Sequence, residues 1–460
     1  MDGRVVSVSS ARAVALAVIA GARQRDAWSH ELMSAALTRR TDLSRQDAAF
    51  ATRLAYGTLQ TLGVLDEVID SHVPRPKDIQ PKVRDVLQLA AYELLFAHTS
   101  SHVVVHQGVE AVKKATPYAA GFANAVLRKI AEHAATFPWG DPATDDGALA
   151  RATGHPRWLV DALLKQFERD TVTAMLEANN EPAPLYVAHN PFAGTLESLH
   201  DALVADGAAP EPTPLVGCIR CRDAAAAVTG SALSSGLCIV ADAGAQLVAR
   251  MASVPPGGIA VDIGAGRGGK TLLIQSASGG EANVVAVDVH EYKTRLLIER
   301  MRELKVPGVR AVVADATDTR LLHGAVGSTE AQAVLVDAPC SGLGTLRRAP
   351  EKRWRLSPHD LEKLAALGSD LLTAASTLVR PGGVVVYSTC TVLAMENEDV
   401  VRAFLGSTPG TEFEVCDVGG HVPDEWSGFR TGEGFFQSVP TVDGPDGHFA
   451  AVLRRGRASR

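Results

Sequence analysis

The residues best suited to chemistry fall in two stretches of similar make-up, AQAVLVDAPCSG (331–342) and GGVVVYSTCT (382–391). Each is an apolar run ending beside a cysteine, Cys340 in the first and Cys390 in the second. Short β-branched runs of this kind read as strands buried on both faces. Both thiols then stand at strand ends, where one active site can use the pair. A lone cysteine is most often a small buried hydrophobe. Two at one sheet edge, each among polar residues, point instead to a thiolate acting as a nucleophile. Spacing leaves open which of the two attacks.

A third stretch, VDIGAGRGGKT (261–271), sets Gly264, Gly266, Gly268 and Gly269 between a strand and a helix. A glycine turn lets backbone approach a ligand closely, and the following helix start offers free N–H groups. Later strands end at or near Asp288, Asp315 and Asp337. Open α/β sheets bind ligands at that edge, and Asp288 is spaced to accept from a ribose diol. Three carboxylates suit a pyrophosphate poorly and a sulfonium well. The expected cofactor is therefore S-adenosylmethionine rather than NAD.

The elements that must carry these residues alternate: GIAVDIG, ANVVAVDV, VRAVVADA, AQAVLVDA and GGVVVYSTC are separated by helical segments. That order predicts a doubly wound, Rossmann-like α/β domain over residues 236–456. The sequence up to residue 135 places apolar residues at three-to-four spacing and predicts an all-α helical bundle. A polar, glycine-rich linker is expected over 136–152, and a small mixed α/β segment over 153–235. The basic tail is expected to fray.

Composition narrows the function classes. A net charge of −7 argues against a generally basic nucleic-acid binder and confines any such contact to local patches. The densest patch, LRRAPEKRWR, follows Cys340 and holds Arg347, Arg348, Lys352, Arg353, Trp354 and Arg355; these are the candidate nucleic-acid-binding residues. Lys113, Lys114, Arg128 and Lys129 form a second candidate patch. Six cysteines in 460 residues are no disulfide framework. Cys218 and Cys221 make a single CxxC without two further ligands, so no metal is expected. No apolar run reaches membrane-spanning length, and a cytoplasmic location is expected.

DAPCSG, STCT, the GGKT loop and the strand order resemble the RNA cytosine-C5 methyltransferases. The helical front (RQDAAFATRLAYGTLQTLGVLDEVID, AGFANAVLRKI) resembles the NusB domain fused to the Sun/Fmu (RsmB) subgroup, and GHPRWLVDALLKQF and VPTVDGPDGHFAAVLRR resemble further parts of it. The resemblance implies methylation of a cytidine in 16S ribosomal RNA, with no protein partner evident. It makes Cys390 the nucleophile, Cys340 the thiol that assists product release, and Asp337 the carboxyl that activates the cytosine. It adds Ala265, Arg267, Lys270 and Pro339 to the glycines and aspartates as cofactor-binding residues. The family loop reads close to CAAPGGKT, whereas this chain has GAGRGGKT. That departure motivates an alternative, an RNA-binding scaffold with a degenerate methyltransferase domain; the same chemistry on another RNA, such as tRNA, is a further one.

Overall fold

The computed structural model describes residues 10–25, 29–40, 42–327 and 330–457; the tail's last three residues lie outside these. The chain divides into two compact units. Residues 1–182 and 346–356 form one, and residues 183–345 and 357–460 form the other.

The first unit is the expected helical bundle: α1 (Ser10–Arg25), α2 (Ser29–Thr38), α3 (Arg45–Gln60), α4 (Leu62–Ser71), α5 (Pro81–Leu95), α6 (Ser101–Ala115) and α7 (Ala120–His133). Pro81 at the first helical position of α5 suits a residue whose missing N–H would be orphaned anyway. α5 is the central helix, burying Val83, Leu87, Ala91 and Leu94 together with Asp85 and Glu93. Those buried acids are neutralised from α1. Arg23 donates to both oxygens of Asp85 at 2.8 Å, and Arg12 Nε donates to Glu93 at 2.9 Å.

The expected linker is instead part of this unit. Asp145 Oδ1 caps α8 (Asp146–Thr153) by accepting from Gly147 and Ala148 N–H. Gly154 ends that helix at φ +66°, where a Cβ would press on Thr61 Cγ2 at 2.7 Å. α9 (Arg157–Leu164) and α10 (Arg169–Ala178) complete the unit. The polar composition of 136–152 reads as flexible chain, yet Ala148, Leu149 and Ala150 are buried.

In the second unit, β1 (Leu185–His189), β2 (Pro210–Pro212), β3 (Cys218–Cys221) and β4 (Cys238–Val240) form an antiparallel sheet in the order β2-β3-β1-β4. Cys218 and Cys221, three residues apart on β3, join different clusters of the core. Alternation along a strand sends them to opposite faces, and burial lifts their thiols to about 12 and about 11. The large sheet holds β5 (Ile259–Ile263), β6 (Asn283–Asp288), β7 (Val309–Val313), β8 (Ala331–Asp337), β9 (Val379–Thr389), β10 (Phe413–Cys416) and β12 (His448–Arg455), with β11 (Phe436–Ser438) paired to β12. Its order is β10-β12-β9-β8-β5-β6-β7. β5 to β9 run parallel, and β12 runs antiparallel to β9. The strand order reverses between β5 and β8, the switch point where such sheets bind ligands.

Candidate active site

The glycine loop leaves β5 at the switch point. Gly264 and Ala265 N–H both donate to Val287 O, at 2.9 and 3.0 Å, tying the loop to β6. Gly266 N–H donates to Asp288 Oδ2 at 3.0 Å. Gly268 takes φ +80° before the helix Gly269–Ala277, and a Cβ there would meet Leu297 Cγ at 2.8 Å. Both conditions call for glycine.

Each carboxylate of the rim is held differently. Asp288 Oδ1 accepts from His290 N–H at 2.9 Å and lies 3.0 Å from His290 Nδ1. Asp315 stands two residues beyond β7 and accepts from Thr317 N–H and Oγ1–H, bonds that hold its carboxyl below the usual range. Asp337 ends β8, where its Oδ2 takes a 2.7 Å bond from Lys270 Nζ. Burial alone would lower the Lys270 ammonium, but the Asp337 carboxylate outweighs it and keeps the ammonium above its ordinary value. A fourth carboxyl, Asp262, lies inside β5. Its Oδ2 accepts from Thr271 Oγ1–H at 2.6 Å, and burial pushes it up to about 6.

A cavity of about 540 Å³ opens between these groups, lined by Gly264, Gly266, Asp288, Asp315, Asp337, Pro339, Cys340 and Cys390 among others. Its size suits a nucleoside-sized ligand, and its carboxylates suit a cationic one. The residues present thus fit S-adenosylmethionine. Ala265, Arg267, Gly268, Gly269 and Lys270 do not line it. The first four shape the turn, with the Arg267 side chain exposed, and Lys270 acts through Asp337.

The two thiols meet at the cavity's edge. Cys340 Sγ and Cys390 Sγ are 3.4 Å apart, and Cys390 N–H donates to Cys340 Sγ at 3.3 Å. The neighbouring Cys390 sulfur, together with burial, lifts the Cys340 thiol well above its ordinary value. A buried carboxylate that the sequence reading missed holds the two loops together. Glu396 accepts from Ser341 N–H at 2.7 Å and from Ser341 Oγ–H at 2.6 Å, while Ser341 Oγ lies 2.9 Å from Thr391 Oγ1. Nothing in STCTVLAMENE sets this glutamate apart from a solvated helix start, because its partner is 55 residues away.

The basic stretch after Cys340 has a different placement from the expected one. Residues 346–356 belong to the first unit. Arg353 is fully buried there, its Nη1 donating to Gly154 O at 3.0 Å and Asn180 Oδ1 at 2.9 Å, and burial lowers the guanidinium to about 9. Trp354 Nε1 donates to Leu59 O at 3.0 Å, and Arg355 Nη2 to Ala22 O at 3.2 Å. Arg347 is also buried, and Arg348 and Lys352 are half-buried. Arg353 and Trp354 therefore anchor the segment and present no RNA surface. Lys113, Lys114, Arg128 and Lys129 on α6 and α7 are exposed.

A doubly wound sheet, a glycine cradle at its switch point and a carboxylate-lined cavity define a Rossmann-like methyltransferase domain. Comparison with known proteins is specific. Residues 253–454 match the model for the 16S rRNA methyltransferase RsmB/F, residues 9–132 the NusB family, and residues 155–225 the ferredoxin-like domain of RsmF/B-like methyltransferases. A Mycobacterium tuberculosis protein named only as a methyltransferase is 34% identical over 97% of this chain and 96% of its own. The ribosomal RNA small subunit methyltransferase B of Salmonella typhi is 31% identical over 85% of this chain and 90% of its own. The crystal structure of PH0851 shares the fold, with a TM-score of 0.80 over 97% of this chain and 98% of that one at 24% identity. The chain belongs to the RsmB/F family of 16S rRNA methyltransferases and carries a NusB domain at its front. It is an S-adenosylmethionine-dependent rRNA methyltransferase.

Proposed function

We propose that the chain methylates carbon 5 of a cytidine in 16S ribosomal RNA through a covalent bond between Cys390 and the base. The observation that carries this reading is the pair of sulfurs 3.4 Å apart at the rim that also holds Asp337. Carbon 5 of cytosine is a weak nucleophile. Addition of the Cys390 thiolate at carbon 6 turns the ring into an enamine whose carbon 5 attacks an electrophile. The addition leaves negative charge at the N3 edge, and a proton passed from the Lys270 ammonium through Asp337 neutralises it. S-Adenosylmethionine, when bound, supplies the methyl group on a cationic sulfur. Loss of the carbon-5 proton then expels Cys390 by elimination, and Cys340, in contact with it, is the group at hand to receive that proton. The target base must leave its stack, which costs least in a single-stranded loop. Lys113, Lys114, Arg128 and Lys129 are the exposed basic residues proposed to hold the RNA backbone.

A 16S RNA fragment carrying 5-fluorocytidine tests the reaction, because fluorine at carbon 5 blocks the elimination. The wild-type protein and Cys340→Ala should form a denaturation-resistant adduct, and Cys390→Ala should not. An adduct that survives in Cys390→Ala and vanishes in Cys340→Ala would reverse the roles. No adduct with any variant, alongside tight S-adenosylmethionine binding, would remove the covalent route.

A further inference from the structure

His448 opens β12, and the reaction above gives it no part. The antiparallel register pairs Phe449 with Thr389. The pairing ends there, and Cys390 and His448 are the next residues of the two strands, flanking the end of the ladder. Gly344 bridges the join: its N–H donates to Cys390 O at 3.0 Å, and its carbonyl accepts from Gly447 N–H at 2.8 Å. A Cβ on Gly344 would fall 2.1 Å from Gly447 O, so this junction admits only glycine.

His448 is 5% exposed. Its Nε2 lies 3.3 Å from Asp242 Oδ1, an ion-pair contact too poorly aligned to be a hydrogen bond, and no hydrogen-bond partner reaches it among the described residues. Asp242 is fixed from its other sides: Oδ1 accepts from Gly244 N–H at 2.9 Å, and Oδ2 from Asp446 N–H at 3.1 Å. Asp242, Asp446 and His448 bring three candidate ligand atoms within 4.8 Å of one another. Main-chain N–H groups already occupy both oxygens of Asp242, however, and that suits a counterion better than a metal ligand. The charged or titratable groups facing His448 are Asp242 ahead of the helix Ala243–Met251, Asp446 beside it in the chain, Lys270 on the helix Gly269–Ala277, and Cys390 after β9. Burial alone would strip the imidazole of its proton, but Asp242 and then Cys390 outweigh burial and Lys270, and its proton affinity stands above the ordinary value.

We propose that His448, oriented by Asp242, is a positioning residue that holds an imidazolium beside Cys390 and keeps that sulfur a thiolate before RNA arrives. In this step the thiol proton passes to solvent, and no bond to RNA forms or breaks. The inference rests on Cys390 being the nucleophile, and it supplies the charge a reactive thiolate needs. Lys270 is the competing cation, but its ammonium is committed to Asp337 at 2.7 Å.

The test is the rate of Cys390 alkylation by iodoacetamide, read by mass spectrometry of its peptide, in the full-length protein without RNA or cofactor. An opposite charge at this range moves a titration midpoint by about one unit or more, or about tenfold in rate at neutral pH. His448→Gln should raise the midpoint by that much, Asp242→Asn should raise it part of the way, and His448→Lys should restore it. An unchanged midpoint in His448→Gln overturns the proposal. If His448→Gln does not fold, an unchanged midpoint in Asp242→Asn does so. The fluorocytidine trap reads the other claim separately: trapping without a midpoint shift sinks the imidazolium alone, and a midpoint shift without trapping sinks the covalent reaction alone.

Discussion

Replacing Asp262 with Asn exposes what the cradle costs the fold. Asp262 is fully buried in β5, with Oδ2 bonded to Thr271 and no hydrogen-bond partner for Oδ1 among the described residues. Burial, followed by the nearby Asp337 charge and opposed by the Thr271 hydroxyl, raises its carboxyl from 3.8 to about 6. A carboxyl that binds its proton more tightly folded than unfolded gives the native state the extra proton between those two values. Stability therefore falls as pH rises through that window. At about 1.4 kcal/mol for each pKa unit, the gap is worth about 3 kcal/mol, present in full below about pH 4 and lost in full above about pH 6. Asn keeps an oxygen for the Thr271 hydroxyl and cannot ionise. Urea unfolding of both proteins from pH 4 to pH 8 should show wild-type stability falling by about 3 kcal/mol relative to Asp262→Asn. Other carboxylates titrate in both proteins and cancel in the difference. Parallel pH profiles would refute the reasoning, because they would mean that the buried carboxyl ionises without penalty.

Glu396→Ala strands the Ser341 N–H without its acceptor and leaves the Ser341 hydroxyl only Thr391 Oγ1; it should cost about 1–3 kcal/mol, visible by calorimetry, with a slower fluorocytidine trap as the Cys340 and Cys390 loops part. Gly268→Ala forces a left-handed φ on alanine and presses on Leu297; at about 1–2 kcal/mol, S-adenosylmethionine binding by calorimetry should weaken about tenfold. Trp354→Ala should lower the first unit's stability by about 3 kcal/mol while leaving the salt dependence of RNA binding unchanged. Replacing Lys113 and Arg128 together with Ala should instead flatten that salt dependence by up to about two phosphate contacts.

The parallel strands and the strand-end positions of Cys340, Cys390, Asp288 and Asp337 were legible because doubly buried strands write themselves as unbroken apolar runs. The cysteine that follows each run is then placed by counting. Three features were not legible, for related reasons. The polar stretch 136–152 looks like free chain because its helix is specified by one N-cap, one terminal glycine and only three buried apolar residues, Ala148, Leu149 and Ala150. Arg353 and Trp354 read as part of an RNA patch because a basic run looks the same whether solvent or main-chain carbonyls receive its guanidiniums. What distinguishes Arg353 is the acceptor set at Gly154, Asn179 and Asn180, some 170 to 200 residues away. Glu396 and His448 escaped because each is defined by a partner in another loop or strand, and a local pattern carries no sign of that.

In the proposed reaction the two thiols take their roles in turn. Two negative charges on sulfurs 3.4 Å apart in a half-buried site repel strongly, so one thiolate raises the proton affinity of the other. The lifted member is Cys340, and the Cys390 sulfur is the leading cause. With Cys390 the thiolate of the proposed reaction, Cys340 is the thiol beside it before the base binds. Once Cys390 bonds to carbon 6 its sulfur is an uncharged thioether, and the main cause of the Cys340 elevation disappears. Cys340 can then release its proton to solvent and, as a thiolate, take the one on carbon 5 while the bond from carbon 6 to Cys390 breaks and Cys390 leaves as a thiolate. Attack and release thus need no outside switch, because bond formation at one sulfur lowers the proton affinity of its neighbour. The order matters: a Cys340 that were ionised at rest would suppress the nucleophile it is meant to free.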